Sequence, residues 1–125
     1  MDRSRVESWV GRYERLWRTP DTHELADLFL PDATYLPSPW AQPVQGLAEI
    51  ARFWDHERDG ADEEFTLVSE VVAVDGETAV VRVGVEYGRA GTEHWRDLWV
   101  LRLTPDGRCS SFEEWPFAPD QHDGH

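Results

Sequence analysis

The sequence predicts an α+β fold in which a curved antiparallel sheet packs on three N-terminal helices, and three observations lead there. Apolar residues recur at helical spacing through the first half of the chain, and from Phe65 onward the period changes to two. Turn signals at Asp75-Gly76, around Gly88 to Gly91 and at Thr104-Pro105-Asp106-Gly107 divide the second half into four consecutive strands. Helices followed by a run of strands gather on one face of the sheet. A sheet curled over a long helix leaves a conical hollow, and function is expected there.

From Ser4 to Arg18 the apolar positions Val6, Trp9, Val10, Tyr13, Leu16 and Trp17 form one helical stripe between charged residues. Thr19-Pro20-Asp21 breaks that helix, and Asp21 or Thr22 is placed to cap a second, short one running through Phe29 and stopped by Pro31. Asp32 to Leu36 reads as a short strand. Pro37, Pro39 and Pro43 force an irregular loop around Trp40. After Gly46, the positions Leu47, Ile50, Ala51, Phe53 and Trp54 form a third helical stripe that fades into Asp55 to Gly60, and the acidic run from Asp59 to Glu64 reads as a solvated connection. The strands are then expected at Phe65 to Val74, Thr78 to Tyr87, Trp95 to Leu103 and Cys109 to Phe117, before a polar, fraying tail.

Composition excludes several classes of function. The 125 residues suit one domain with one core, and the net charge of −13 repels phosphate backbones and anionic membranes, so no nucleic acid or membrane partner is expected. The single cysteine, Cys109, has no internal disulfide partner, its strand position suggests a small buried residue, and no metal-ligand spacing is recognisable. The N-terminus leads into an amphipathic helix and not an apolar signal segment, so residence in the cytoplasm is expected. Seven Trp residues, with five Phe and three Tyr, supply core or the walls of a cavity for a flat apolar ligand.

The oddest local feature is an acid between indoles. Alternation places Trp95, Asp97, Trp99, Leu101 and Leu103 on one face of their strand, where an unpaired carboxylate costs several kcal/mol or shifts its pKa upward. Either this face lines a pocket, or Asp97 marks a solvated face and the indoles are partly covered surface. A four-residue loop from Thr104 to Gly107 would set Leu103 opposite Arg108, Trp99 opposite Phe112 and Asp97 opposite Glu114. One bulge in the last strand would instead turn Glu114 outward.

The runs Leu28-Phe29-Leu30-Pro31-Asp32-Ala33-Thr34-Tyr35 and Gly46 to Trp54, with Val100-Leu101-Arg102-Leu103, Asp106-Gly107-Arg108 and Phe112-Glu113-Glu114-Trp115, resemble the nuclear transport factor 2-like superfamily, in particular its SnoaL-like and ketosteroid isomerase-like members. The resemblance covers roughly Val6 to Phe117. It implies a cone of the cystatin-like type, with residues 1–117 as a single SnoaL-like domain and 118–125 as tail. It also implies that Tyr13 donates a hydrogen bond to a developing enolate oxygen, and that the strand with Val81, Val83 and Val85 points into the cone. The isomerase base position reads Leu36-Pro37-Ser38-Pro39 with no carboxylate, and the position of the second oxyanion donor is Trp99.

The expected catalytic set is therefore Tyr13, Asp97, Glu114 and Trp99, with the two carboxyls replacing the missing base as an acid/base pair. The expected substrate contacts are Trp17, Leu36, Trp40, Phe53, Trp54, Val81, Val83, Trp95 and Phe112. For Trp40 both a lid over the cone mouth and a loop anchor on the core remain open, and Trp17, Phe53 and Trp54 read equally as core. Arg82, Arg96, Arg102 and Glu86, with Leu98 and Val100, form an outer face suited to a homodimer. The function implied is a cofactor-free isomerase, cyclase or dehydratase acting on a small apolar molecule, with no metal. The alternative is a non-catalytic binding or assembly domain.

Overall fold

A computed structural model of the chain describes residues 1–19, 24–57, 64–88 and 93–121. Helix α1, Arg3–Arg18, starts where the Asp2 carboxylate accepts the Arg5 N–H at 3.0 Å, which satisfies one of the free N–H groups of a helix start. Its seam of Val6, Trp9, Val10, Tyr13 and Leu16 is buried, and Arg15 and Arg18 lie in the last turn, where the helix dipole favours cations.

The segment after α1 departs from expectation. Helix α2 is only Leu25–Leu28, and strand β1 begins at once, Phe29–Leu36, instead of at Asp32. The expected caps, Asp21 and Thr22, lie outside the described residues. Pro31 does not stop a helix; it sits inside β1, between the Phe29–Cys109 and Thr34–Ser111 pairings, where the ladder is irregular and no N–H is required. A two-residue strand, β2 at Val44–Gln45, pairs with Thr34 and Tyr35 and was not foreseen among the prolines. Gly46, at φ 83°, turns the chain from β2 into helix α3, Leu47–Glu57, while donating its N–H to Ala33 at 2.8 Å.

The four strands of the second half are β3 Phe65–Asp75, β4 Thr78–Tyr87, β5 Glu93–Leu103 and β6 Cys109–Phe117. They form the expected meander in a curved, open sheet of order β2-β1-β6-β5-β4-β3. The β1–β6 pair is parallel and every other pair is antiparallel. A bulge near Val72 bends β3, and Arg3 reaches across to the Val71 carbonyl at 2.6 Å, tying the start of α1 to that bend. The acidic connection from Asp59 onward, the turn at residues 89–92 and the end of the tail lie outside the described residues, apart from Glu64, which is exposed.

Trp9 is the hub of the core. It is fully buried, donates its indole N–H to the Leu28 carbonyl at 3.0 Å, and meets the Tyr13, Phe29, Trp99 and Phe112 rings. Cys109 is also fully buried, and burial pushes its thiol pKa up to about 12, so it is an inert core residue. No helix among the described residues is long and apolar enough to cross a membrane.

Candidate active site

Aromatic packing closes one end of the cone and stops short of the other, leaving a cavity of about 440 Å³ within the range of small-molecule sites. Strand β5 crosses the boundary: Leu103 and Leu101 lie in the packed end, and Trp99, Asp97 and Trp95 line the cavity. On β6, Cys109 and Phe112 belong to the core, and Glu114 and Pro116 line the cavity.

The register differs from the four-residue-loop expectation. Leu103 pairs with Cys109, Leu101 with Phe112, Trp99 with Glu114 and Asp97 with Pro116. The loop is one residue longer, closed by the Thr104 N–H to Arg108 carbonyl bond at 2.8 Å, and a bulge between Arg102 and Leu103 adds a second shift. Two one-residue shifts restore parity. Glu114 therefore stays on the Asp97 face but stands directly across from Trp99, diagonal to Asp97.

Asp97 is 7% exposed and its Oδ1 is buried without a hydrogen-bond partner, while the buried Trp99 indole N–H lies close enough to both carboxyls to favour their charged forms. Burial raises the Asp97 pKa, while the neighbouring Glu114 and Trp99 partly offset that. Glu114 is raised well above the usual carboxylate range, first by burial and then by Asp97, with Glu57 adding to the repulsion. The two carboxyls thus favour holding one proton between them, leaving the pair with a single negative charge. Above it the Tyr13 and Tyr35 hydroxyls are hydrogen-bonded at 3.1 Å, and burial keeps both phenols protonated by pushing their pKa values well up. A carboxyl pair sharing a proton and neutral O–H and N–H donors in an aromatic-walled cavity can move protons and stabilise a developing oxyanion.

Tyr13, Asp97, Trp99, Glu114, Trp17, Phe53 and Trp95 all line this cavity. The other expected contacts do not. Trp54 is fully buried behind Tyr13 and Trp17, with ring centroids 4.9 Å from each. Phe112 stacks beneath Tyr35 at 4.7 Å, and Val81 and Val83 are buried where β4 pairs with Trp99 and Asp97. Leu36 has the opposite parity to Ala33 and Tyr35 and turns away. Trp40 is 98% exposed, so it neither anchors its loop on the core nor covers the cavity. Sequence reasoning overlooked Tyr35, Glu57, Phe65, Tyr87 and Glu93, of which Tyr35 was the most accessible, sharing β1 parity with buried Ala33. Among the described residues no three His, Cys, Asp or Glu side chains gather to hold a metal ion.

A cone whose interior holds a buried carboxyl pair in an aromatic-walled cavity defines a pocket domain built on an α+β sheet. The chain belongs to the SnoaL-like domain family, matched over residues 10–112, within the nuclear transport factor 2-like superfamily. Its fold is similar to that of SalBIII, an epoxide hydrolase/cyclase-like enzyme described for pyran ring formation in the polyether salinomycin, at 19% identity, TM-score 0.72 and 93% coverage of each chain. It is also similar to a candidate ketosteroid isomerase from Kribbella flavida DSM 17836, at 20% identity and TM-score 0.69 over 98% of this chain and 83% of that one. A second candidate ketosteroid isomerase, from Parabacteroides distasonis ATCC 8503, shares 15% identity at TM-score 0.62 over 90% of this chain and 87% of that one. Identities this low establish the shared fold alone. No curated protein matches the chain by sequence.

Proposed function

We propose that the chain is a cofactor-free isomerase or cyclase that acts on a flat, largely apolar molecule by general acid/base chemistry. The observation that carries this reading is the buried Asp97 carboxyl, with a free Oδ1, beside Glu114 in an aromatic cavity. Asp97 removes a proton from an activated C–H or O–H. Glu114 delivers its own proton to the oxygen or carbon that gains electron density, so the reaction is redox-neutral and the pair is reset by one proton exchange. Tyr13, held by Tyr35, and the Trp99 N–H face the developing negative charge. Trp17, Phe53 and Trp95 hold the substrate plane. Residues 1–117 act as a single domain, in the cytoplasm, and the outer sheet face forms a homodimer.

Nitrobenzisoxazole tests the base without knowledge of the natural substrate. A desolvated carboxylate removes its ring proton as the N–O bond breaks, and the phenolate released is read by absorbance. The rate is expected to rise with pH as the raised carboxyls of the pair ionise, and Asp97→Asn to lower it about 100-fold or more. A wild-type rate no higher than that of free carboxylate buffer overturns the acid/base reading. The absence of a carboxylate at Leu36-Pro37-Ser38-Pro39 favours a binding-only domain as the second reading, and that result would select it.

A further inference from the structure

The cavity has a consistent electrostatic sign. Its titratable lining residues are the acids Glu57, Glu93, Asp97 and Glu114 and the phenols of Tyr13, Tyr35 and Tyr87, and no Arg, Lys or His among the described residues lines it. Arg18 lies nearby, 3.9 Å over the Phe65 ring, but it is paired with Glu14 at 2.8 Å and stays outside. Glu57 and Glu93 are exposed and mark the mouth, and Glu93 accepts the Trp95 indole N–H at 2.9 Å, leaving that ring face clear. Deeper in, the free Oδ1 of nine-tenths buried Asp97 is an unused acceptor. Indole and phenol rings present negative faces, and cages of such rings attract ammonium groups. An anion would meet acids at the mouth and acids at the base. A neutral apolar molecule would use the rings and leave the negative charge of the acids uncompensated.

We infer that this cavity selects an apolar ligand carrying one positive charge, a protonated ring amine or a quaternary ammonium, over neutral or anionic molecules of the same shape. The inference rests on the reading of the cavity as a small-molecule site and names the class of molecule that it takes. A bound cation also favours ionisation of Glu114, which faces Asp97 from β5, Glu57 from α3, Tyr13 from α1 and Tyr35 from β1. Binding therefore releases a proton. The sign follows: affinity for a permanent cation rises with pH as Glu114 ionises, whereas affinity for a neutral ligand does not.

Phenyltrimethylammonium, tert-butylbenzene and benzenesulfonate share a shape and differ in charge, and titration calorimetry reports their binding to the full chain. In about 0.15 M salt, which screens the general surface charge beyond about 8 Å, the cation is expected to bind at least about tenfold more tightly than tert-butylbenzene. The sulfonate is expected to bind weakest. Asp97→Asn and, at the mouth, Glu57→Gln are each expected to lower the ratio of cation to tert-butylbenzene affinity. Equal or inverted affinities, no binding of any probe, or a preference that survives both substitutions overturns the inference. Turnover of nitrobenzisoxazole with an inverted ligand order would leave the acid/base reading standing. Cation binding without turnover would leave a binding module of the same selectivity.

Discussion

Glu114 shows how one side chain links the site to the stability of the chain. Its pKa in the fold is raised well above the ordinary value, first by burial and then by Asp97. The unfolded chain loses that proton near the ordinary glutamate value of about 4.3. Above that pH the folded state binds more protons than the unfolded one, so stability falls as pH rises, until Glu114 ionises in the fold as well. Glu114→Gln keeps the volume, offers an N–H₂ group to Asp97 and removes the titration. It is expected to stabilise the chain by about 0.5–2 kcal/mol near neutral pH, the usual return for relieving a strained functional site. Urea unfolding should show the gain vanish near the unfolded glutamate pKa; parallel pH profiles for variant and wild type would mean that Glu114 is not perturbed. At this scale Asp97 was legible in the sequence because an acid between Trp95 and Trp99 violates the apolar pattern of its strand face. Trp54, Val81, Val83 and Phe112 were misplaced for a different reason. Parity reveals which face a residue occupies, but not how far along the cone the packed rings end and the hollow begins.

The β5–β6 hairpin is the element that positions the pair, and its loop is held from two sides. Gly107, at φ 85°, donates its N–H to Thr104 at 2.9 Å, and its carbonyl accepts from Arg12 of α1 at 2.9 Å. Arg5 of α1 also bonds the Pro105 carbonyl, and Asp106 bonds both Thr104 and Arg108. The helix bearing Tyr13 and the strands bearing Asp97 and Glu114 are thus fixed to one another through this loop. A Cβ at Gly107 would meet its nearest atom, Arg12 Nη2, at 3.5 Å, an ordinary contact. The cost of Gly107→Ala is therefore backbone strain, expected at about 1–2 kcal/mol in urea unfolding, with the pH dependence of nitrobenzisoxazole turnover unchanged. A neutral effect on stability would show that the loop relaxes freely. The hairpin and its turn chemistry were readable from Thr104-Pro105-Asp106-Gly107. Its register was not, because a loop one residue longer and a single bulge leave almost no mark on the alternation of side chains. The early start of β1 was hidden in the same way, since a strand irregularity makes room for Pro31.

At the scale of the whole molecule, a net charge of −13 opposes self-association over most of the surface, so any dimer must form where that charge is locally balanced. The convex face of the sheet meets this condition. Arg82, Arg96 and Arg102 stand there among Glu70, Glu86 and Glu113, with Arg82 paired to Glu70 at 2.5 Å and His94 3.3 Å from Glu86. Between them lies an apolar ridge: Leu98 and Trp115 are opposite one another in register and 38% and 40% exposed, flanked by Phe117 and Val68 at 47% and 73%. The Trp115 indole is steadied by its bond to Glu113 at 2.6 Å, which presents the ring as a fixed surface. Exposed aromatic and aliphatic groups rimmed by paired charges are the composition of an interface centre, and a two-fold dimer would use this one patch on both copies. Sedimentation equilibrium is expected to find a dimer that tightens as added salt screens the remaining repulsion. Leu98→Asp puts a carboxylate in the middle of that apolar ridge and is expected to weaken the dimer by about 2 kcal/mol or more, with no effect on ligand binding in the cavity because Leu98 points away from Asp97. A wild-type chain that sediments as a monomer at every concentration would remove the dimer and leave the convex ridge unpartnered.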